Sequence, residues 1–212
     1  LHAYSANEIM MTVHNSLQID WLEASRLRDP IKCWLKLDTG MSRLGFGANH
    51  VHNNLKRLNN CPNISGNIVA FTHLAQADNR DSKFTLEQIN RFEKATQNLS
   101  IQRSAANSAG VIAWPSSHFD WVRPGYMLYG NSPLLGESSQ MVNLQPVMSL
   151  LSEIIAIRDV SKGGSVGYGS RWNAQRDTRI ATICIGYGDG YPRSAPTGTP
   201  VLINGHRVPI VG

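Results

Sequence analysis

From about residue 10 to residue 130, short apolar runs alternate with segments of helical periodicity. Met10–His14 reads as a strand and Ser16–Leu27 as a helix. Ile31–Leu37 is a second strand, and beyond it Val51, Leu55 and Leu58 share one face of a helix predicted over Ala48–Leu58. Ile64–Thr72 is a third strand. The strongest helix covers Thr85–Leu99, with Leu86, Ile89, Phe92, Thr96 and Leu99 in register, and the spacing of Thr85 and Gln88 predicts a capping box at its start. Two further strands are predicted at Arg103–Ala106 and Trp121–Arg123. Strands separated by helices imply a parallel sheet, open or barrelled.

The pattern changes after Gly130. Residues 131–146, NSPLLGESSQMVNLQP, read as a linker, and beyond them helical periodicity disappears. Val147–Ile157, Arg179–Ile185 and Val201–Ile203 read as strands, and Asn204-Gly205 is a two-residue hairpin signal before Val208–Val211. The chain therefore divides into an α/β part, residues 1–132, and a β part, residues 133–212.

Composition narrows the functional classes. With 212 residues, 42% of them apolar, the chain is expected to be a soluble globular protein of one large or two modest domains. The net charge of +5 is mild, and its 14 arginines and 6 lysines are scattered without a basic stripe, so nucleic acid is not an implied partner. Cys33, Cys61 and Cys184 are odd in number and widely spaced, which suits reduced thiols of a cytoplasmic protein better than a disulfide framework. No stretch reaches the roughly 18–20 apolar residues of a membrane span, so no membrane partner is expected. No metal-ligand spacing stands out.

Chemistry is suggested at the strand ends. KLDTGMSRLG, residues 36–45, follows the apolar run Ile31–Leu35 and brings Lys36, Asp38 and Arg43 to the end of one strand. Lys36 and Asp38 are two apart, on one side of a strand. His14-Asn15, His73, Asn107-Ser108 and Arg123 close the other predicted strands in the same way, and in a parallel barrel that end carries the site. Asn107-Ser108 reads either as an ordinary helix N-cap or as a phosphate contact, and the RPGY stretch, Arg123–Tyr126, offers a second small backbone loop. GYGDGYPR, Gly186–Arg193, sets Tyr187 in a glycine-rich turn, as a functional group or as a tyrosine packing its ring.

KLDTGMSRLGFG, FTHLAQAD, AANSAG, DWVRPGYMLYG, VGYGSRW and IGYGDGYPR together resemble alanine racemases, in that family's order and spacing and over nearly the whole chain. The resemblance implies an α/β fold: about the last five strands of a (β/α)8 TIM-type barrel, then part of a β-rich C-terminal domain. It implies racemisation of L- and D-alanine through a pyridoxal 5'-phosphate aldimine, supplying D-alanine for peptidoglycan, in a cytoplasmic homodimer whose active sites are shared between subunits. In these terms Ser108, Gly125 and Tyr126, with Asn107 beside them, would hold the cofactor phosphate. His73 would lie against the pyridine ring, and Arg123 would donate to its nitrogen. Arg43 would contact the substrate carboxylate, and Tyr187 would be the catalytic acid–base of one face, acting across the dimer. Lys36 matches a lysine that is carbamylated in many members and then orients Arg43; a plain Lys36–Asp38 ion pair is the alternative.

One element of the family pattern is missing. The Schiff-base lysine stands in a KANAYGHG-like motif, and none of Lys32, Lys36, Lys56, Lys83, Lys94 and Lys162 has that context. The chain also opens on Leu1 rather than Met. The resemblance therefore implies a central fragment, with about three barrel strands preceding it, that is inactive in isolation. A non-catalytic remnant or interaction module of the same fold is the competing expectation.

Overall fold

Each strand of the first part is short and paired in parallel, because a helix carries the chain back after it. The computed structural model describes residues 1–211. It separates into two compact units, Leu1–Met148 and Ser149–Gly212.

The first unit runs α1 (His2–Ala6), β1 (Met11–Val13), α2 (Ser16–Ala24), β2 (Cys33–Lys36), α3 (Val51–Asn60), β3 (Val69–Phe71), α4 (Lys83–Thr96), β4 (Gln102–Ser104) and α5 (Ser108–Ala113). The strands form one sheet in the order β1-β2-β3-β4, with Met11 opposite Cys33, Trp34 opposite Val69, and Val69 opposite Gln102. Between sheet and helices lies a core in which Val13, Ile19, Leu22, Leu35, Leu58 and Phe92 are fully buried. The other sheet face carries aromatics: Trp34 meets Phe71 edge-on at 5.7 Å and Trp121 at 6.0 Å between ring centroids.

Three sequence expectations shift. The strand expected at Trp121–Arg123 contracts to a single parallel bridge, Ser104 to Trp121, because Pro124 has no N–H to extend a ladder and Arg123 N turns to Ala106 O (2.9 Å). The capping box expected from Thr85 and Gln88 is absent; α4 starts earlier, with Ser82 Oγ accepting from Thr85 N at 3.1 Å. His14-Asn15 serves a helix start: Asn15 Oδ1 accepts from Gln18 N while Gln18 Oε1 accepts from His14 N and Asn15 N.

The stretch 131–146 packs with the first unit. Leu134 is buried in a cluster with Leu74 and Trp114, Leu135 N donates to Asp78 O at 3.0 Å, and Arg80 grips Glu137 with two hydrogen bonds of 2.6 and 3.1 Å.

The second unit is built of antiparallel pairs. β5 (Ile154–Val160) is followed by β6 (Ser165–Val166), β7 (Trp172–Asn173), β8 (Thr178–Ile183), β9 (Pro200–Ile203) and β10 (His206–Pro209). β5 pairs with β8, β6 with β7, and β9 with β10. The β9–β10 turn is the predicted one: Asn204 and Gly205 take φ of 48° and 79°, the left-handed pair that a two-residue hairpin requires.

Candidate active site at the strand ends

The loop after β2 is a closed structure built by its own residues. Asp38 Oδ1 accepts from Gly40 N (2.9 Å) and Ser42 N (3.1 Å). The loop then returns on itself, with Asp38 N donating to Phe46 O and Phe46 N to Lys36 O, both at 2.9 Å. Gly45 makes this closure possible: its φ is 120°, and a Cβ there would lie 2.8 Å from Asp38 N. Asp38 is thus committed to the loop backbone, and no Lys36–Asp38 ion pair forms. Arg43 stands exposed on this loop.

Lys36 is buried without a carboxylate partner among the described residues. Its Nζ lies 4.7 Å from the Phe71 ring centroid, and the Arg123 guanidinium lies 5.0 Å from the same centroid. Arg123 is anchored to strand ends: its Nη2 donates to Thr72 O (2.6 Å) and more weakly to Ala105 O (3.4 Å), and its Nη1 donates to Ser104 Oγ (2.5 Å). Burial pushes Arg123 down to about 10 and is also the main cause of the lowered pKa of Lys36, which the charges of Arg123 and Arg43 depress further against the opposing pull of Asp38. His73, just past β3, is pushed down to about 4 by burial first and then by Arg123, Lys36 and Arg43. Its imidazole is neutral at pH 7.

A second polar group forms where α5 meets the loop after Arg123. Asn107 is the N-cap of α5: Oδ1 accepts from Gly110 N (2.9 Å) and Nδ2 donates to Leu74 O (3.2 Å), so its amide is occupied structurally. Ser108 Oγ accepts from Gly125 N (2.9 Å) and Met127 N (3.2 Å), which leaves the hydroxyl proton free to donate outward. Tyr126 is exposed, and the space where a Gly125 side chain would stand is open.

Lys36, His73 and Arg123 therefore share one environment, which Arg43 influences electrostatically, and Ser108, Gly125 and Tyr126 form a contiguous corner. Tyr187 belongs to the second unit, in a 3-10 turn Tyr187–Asp189 closed by Gly186 N donating to Asp189 Oδ2 at 2.9 Å. At 67% exposure its ring is not packed away as a structural tyrosine would be. Sequence reasoning gave no site role to Ser104 at the end of β4, to Thr72 just past β3, or to Gln88 on α4, which it read only as a helix cap; their contacts hold this region, and nothing local marks them for it. Lys36, Arg43 and Arg123 around the neutral His73 ring make this region electropositive, and Asp38 is the one carboxylate that acts on Lys36.

Comparison with known proteins decides the family. Residues 1–133 match the model described as alanine racemase, N-terminal domain, and residues 147–212 match alanine racemase, C-terminal domain. The chain belongs to the alanine racemase family. It is 49% identical over 206 residues to the alanine racemase of Shewanella amazonensis, covering 97% of this chain and 57% of that protein. It is 48% identical over 212 residues to that of Aeromonas hydrophila, covering 100% of this chain and 59% of the relative. Among solved structures it superposes on the biosynthetic alanine racemase from Pseudomonas aeruginosa with a TM-score of 0.91 at 41% identity, covering 99% of this chain and 58% of that one. A Bartonella henselae alanine racemase with covalently bound pyridoxal phosphate matches with a TM-score of 0.77 at 26% identity, again over 99% and 58%. The fold is thus part of the family's barrel followed by part of its β domain, and the chain spans somewhat under three-fifths of its curated relatives.

Proposed function

We propose that this chain carries the cofactor- and substrate-facing residues of an alanine racemase that interconverts L- and D-alanine with pyridoxal 5'-phosphate and supplies D-alanine for peptidoglycan. The observation that carries this reading is the half-buried Arg123 guanidinium, held by Thr72 O and Ser104 Oγ beside the neutral His73 ring. The residues fit the cofactor's chemistry. Arg123 only donates, which suits a pyridine nitrogen left unprotonated, and His73 is an uncharged plane able to lie against an aromatic ring. The spare proton of Ser108, with the open space at Gly125 and the adjacent Tyr126, suits a phosphate; Asn107 supports that corner through its cap.

The cofactor, when bound, delocalises the charge left at Cα when alanine loses its proton. The protein's tasks are orientation and proton movement. The Arg43 fork holds the substrate carboxylate. Lys36 is buried and its pKa is lowered, chiefly by that burial, which favours the free amine that attacks carbon dioxide. The ammonium first gives up one proton; forming the N–C bond opens one C=O π bond and releases a second, leaving an anionic carbamate that orients Arg43. Tyr187, delivered by the second subunit of a cytoplasmic homodimer, removes or returns the α-proton on one face.

None of the six lysines stands in the family's Schiff-base motif, and only Lys36 lies in the cationic cluster. The chain by itself is therefore expected not to racemise alanine at an enzymatic rate, and to act in isolation as a binding module. Purified protein incubated with L-alanine and pyridoxal phosphate, assayed for D-alanine and for cofactor retention by absorbance, tests both parts. Retention without turnover is the expected result. Failure to retain the cofactor, with folding intact, refutes the assignment of these side chains.

A further inference from the structure

Gln88 lies in the middle of α4, fully buried, yet gives neither polar atom of its side chain to its own helix. Its Oε1 accepts from Ala75 N at 2.8 Å, while Nε2 donates to His73 O at 3.1 Å and to Thr39 Oγ1 at 3.4 Å. The first two contacts bracket the backbone on either side of Leu74 and so set where His73 leaves β3. The third reaches the start of the loop that carries Arg43. The hydroxyls beyond it have one consistent direction: Thr72 Oγ1 donates to Leu37 O (3.1 Å), so it accepts from Thr39 (2.8 Å), which in turn accepts from Gln88. Thr72 O, on the same residue, holds Arg123.

A buried amide costs free energy that an apolar side chain at this position would not, and the inward neighbours Ile89 and Phe92 show that α4 packs with apolar groups. Satisfying the helix does not explain Gln88, whereas joining two strand-end loops does. We infer that Gln88 is a positioning residue, which locks the His73 segment of one strand end against the Arg43 loop of the next and so sets the alignment of the two groups that face the cofactor and the substrate. This inference deepens the proposed function and rests on it for the roles of His73 and Arg43, but the positional lock itself can be read without cofactor.

The test uses the 212-residue chain with Gln88→Met, which keeps length and loses the amide, and Gln88→Asn, which keeps an amide one methylene short of three simultaneous partners. Thr85→Val is the control: it is equally buried on the same helix, but its hydroxyl touches none of these groups. The readout is the titration of the His73 ring by NMR, a ring faced by Lys36, Arg43 and Arg123. Release of the lock lets the imidazole reach water and leave those cations, so its midpoint should rise toward the ordinary ~6.5, by about one pH unit, in both Gln88 variants and not in the control. The Asn variant decides the matter if the Met variant does not fold. An unchanged His73 midpoint in a folded Gln88 variant, or an equal rise in Thr85→Val, overturns the inference. Cofactor retention by the unsubstituted chain is measured alongside; its absence refutes the proposed function, while the positioning role stands or falls on the ring titration.

Discussion

Removing the Ser108 hydroxyl separates a structural role from a cofactor role, because the structure gives that atom two jobs with different readouts. In Ser108→Ala the N–H groups of Gly125 and Met127 lose their shared acceptor. A typical intramolecular hydrogen bond contributes about 0.5–1.5 kcal/mol net. Gly125 is exposed and its N–H can turn to water, so the expected loss of stability is nearer about 1 kcal/mol than the sum of two bonds. For a body of this size that lowers the melting temperature by about 2–4 °C. The second job is the outward hydroxyl proton. A hydrogen bond to a charged phosphate contributes about 1.5–3 kcal/mol, so the affinity for pyridoxal phosphate should fall by roughly 10–150-fold. Equilibrium dialysis with pyridoxal phosphate, competed by inorganic phosphate, reads the second quantity, and a circular-dichroism melt reads the first. If affinity stays within about two-fold while the melt drops, Ser108 is only a clasp between α5 and the following loop, and the phosphate assignment is wrong.

Thr85→Val should stabilise the protein by about 1 kcal/mol in urea unfolding, since the Thr85 hydroxyl is buried with no partner and a methyl group carries no such penalty; destabilisation would mean that an internal water satisfies it. His73 is held at about 4, below its ordinary 6.5, so the unfolded chain takes up that proton first: its contribution to stability is complete above about 6.5 and is lost as pH falls toward 4. In buffer freed of carbon dioxide, where Lys36 carries no carbamate, Lys36→Met removes one of the charges behind that depression and should raise the His73 midpoint measured by NMR; no rise would place Lys36 outside its electrostatic reach. In an active racemase containing this sequence, Tyr187→Phe should cut racemisation about 10²–10⁴-fold with the melt unchanged, because the ring is exposed and the Gly186 and Gly188 positions are uncrowded; near-normal turnover in both directions would make Tyr187 a turn residue only.

The order of elements was legible in the sequence because each signal is local. Leu86, Ile89 and Phe92 repeat at helical spacing whatever they pack against, and the period follows from 3.6 residues per turn. Asn204-Gly205 marks its hairpin because few residue pairs tolerate two consecutive positive φ values. The family motifs likewise drew attention to Lys36, Arg43, His73, Ser108 and Arg123 as a set. What each residue does there could not be read locally. Asp38 shares a strand face with Lys36 in sequence, yet its carboxylate turns to the amides of Gly40 and Ser42, because the loop closes through Gly45 and presents those N–H groups first. Thr85 and Gln88 have the spacing of a capping box, but Ser82 takes the cap, and the freed Gln88 amide finds partners 13 and 49 residues away in sequence. Trp121–Arg123 has strand composition, but Pro124 and the pull of Ala106 O leave one bridge. Sequence thus determined the order and type of most elements, since these are properties of neighbouring residues, but not every inward position: Leu86, in register with Ile89 and Phe92, is exposed, while Thr85 and Gln88 are buried. Only the tertiary structure decided which polar atoms meet, because a buried donor is claimed by whichever acceptor the packed strand ends bring within 3 Å or so, and that partner is set by the fold and not by spacing along the chain.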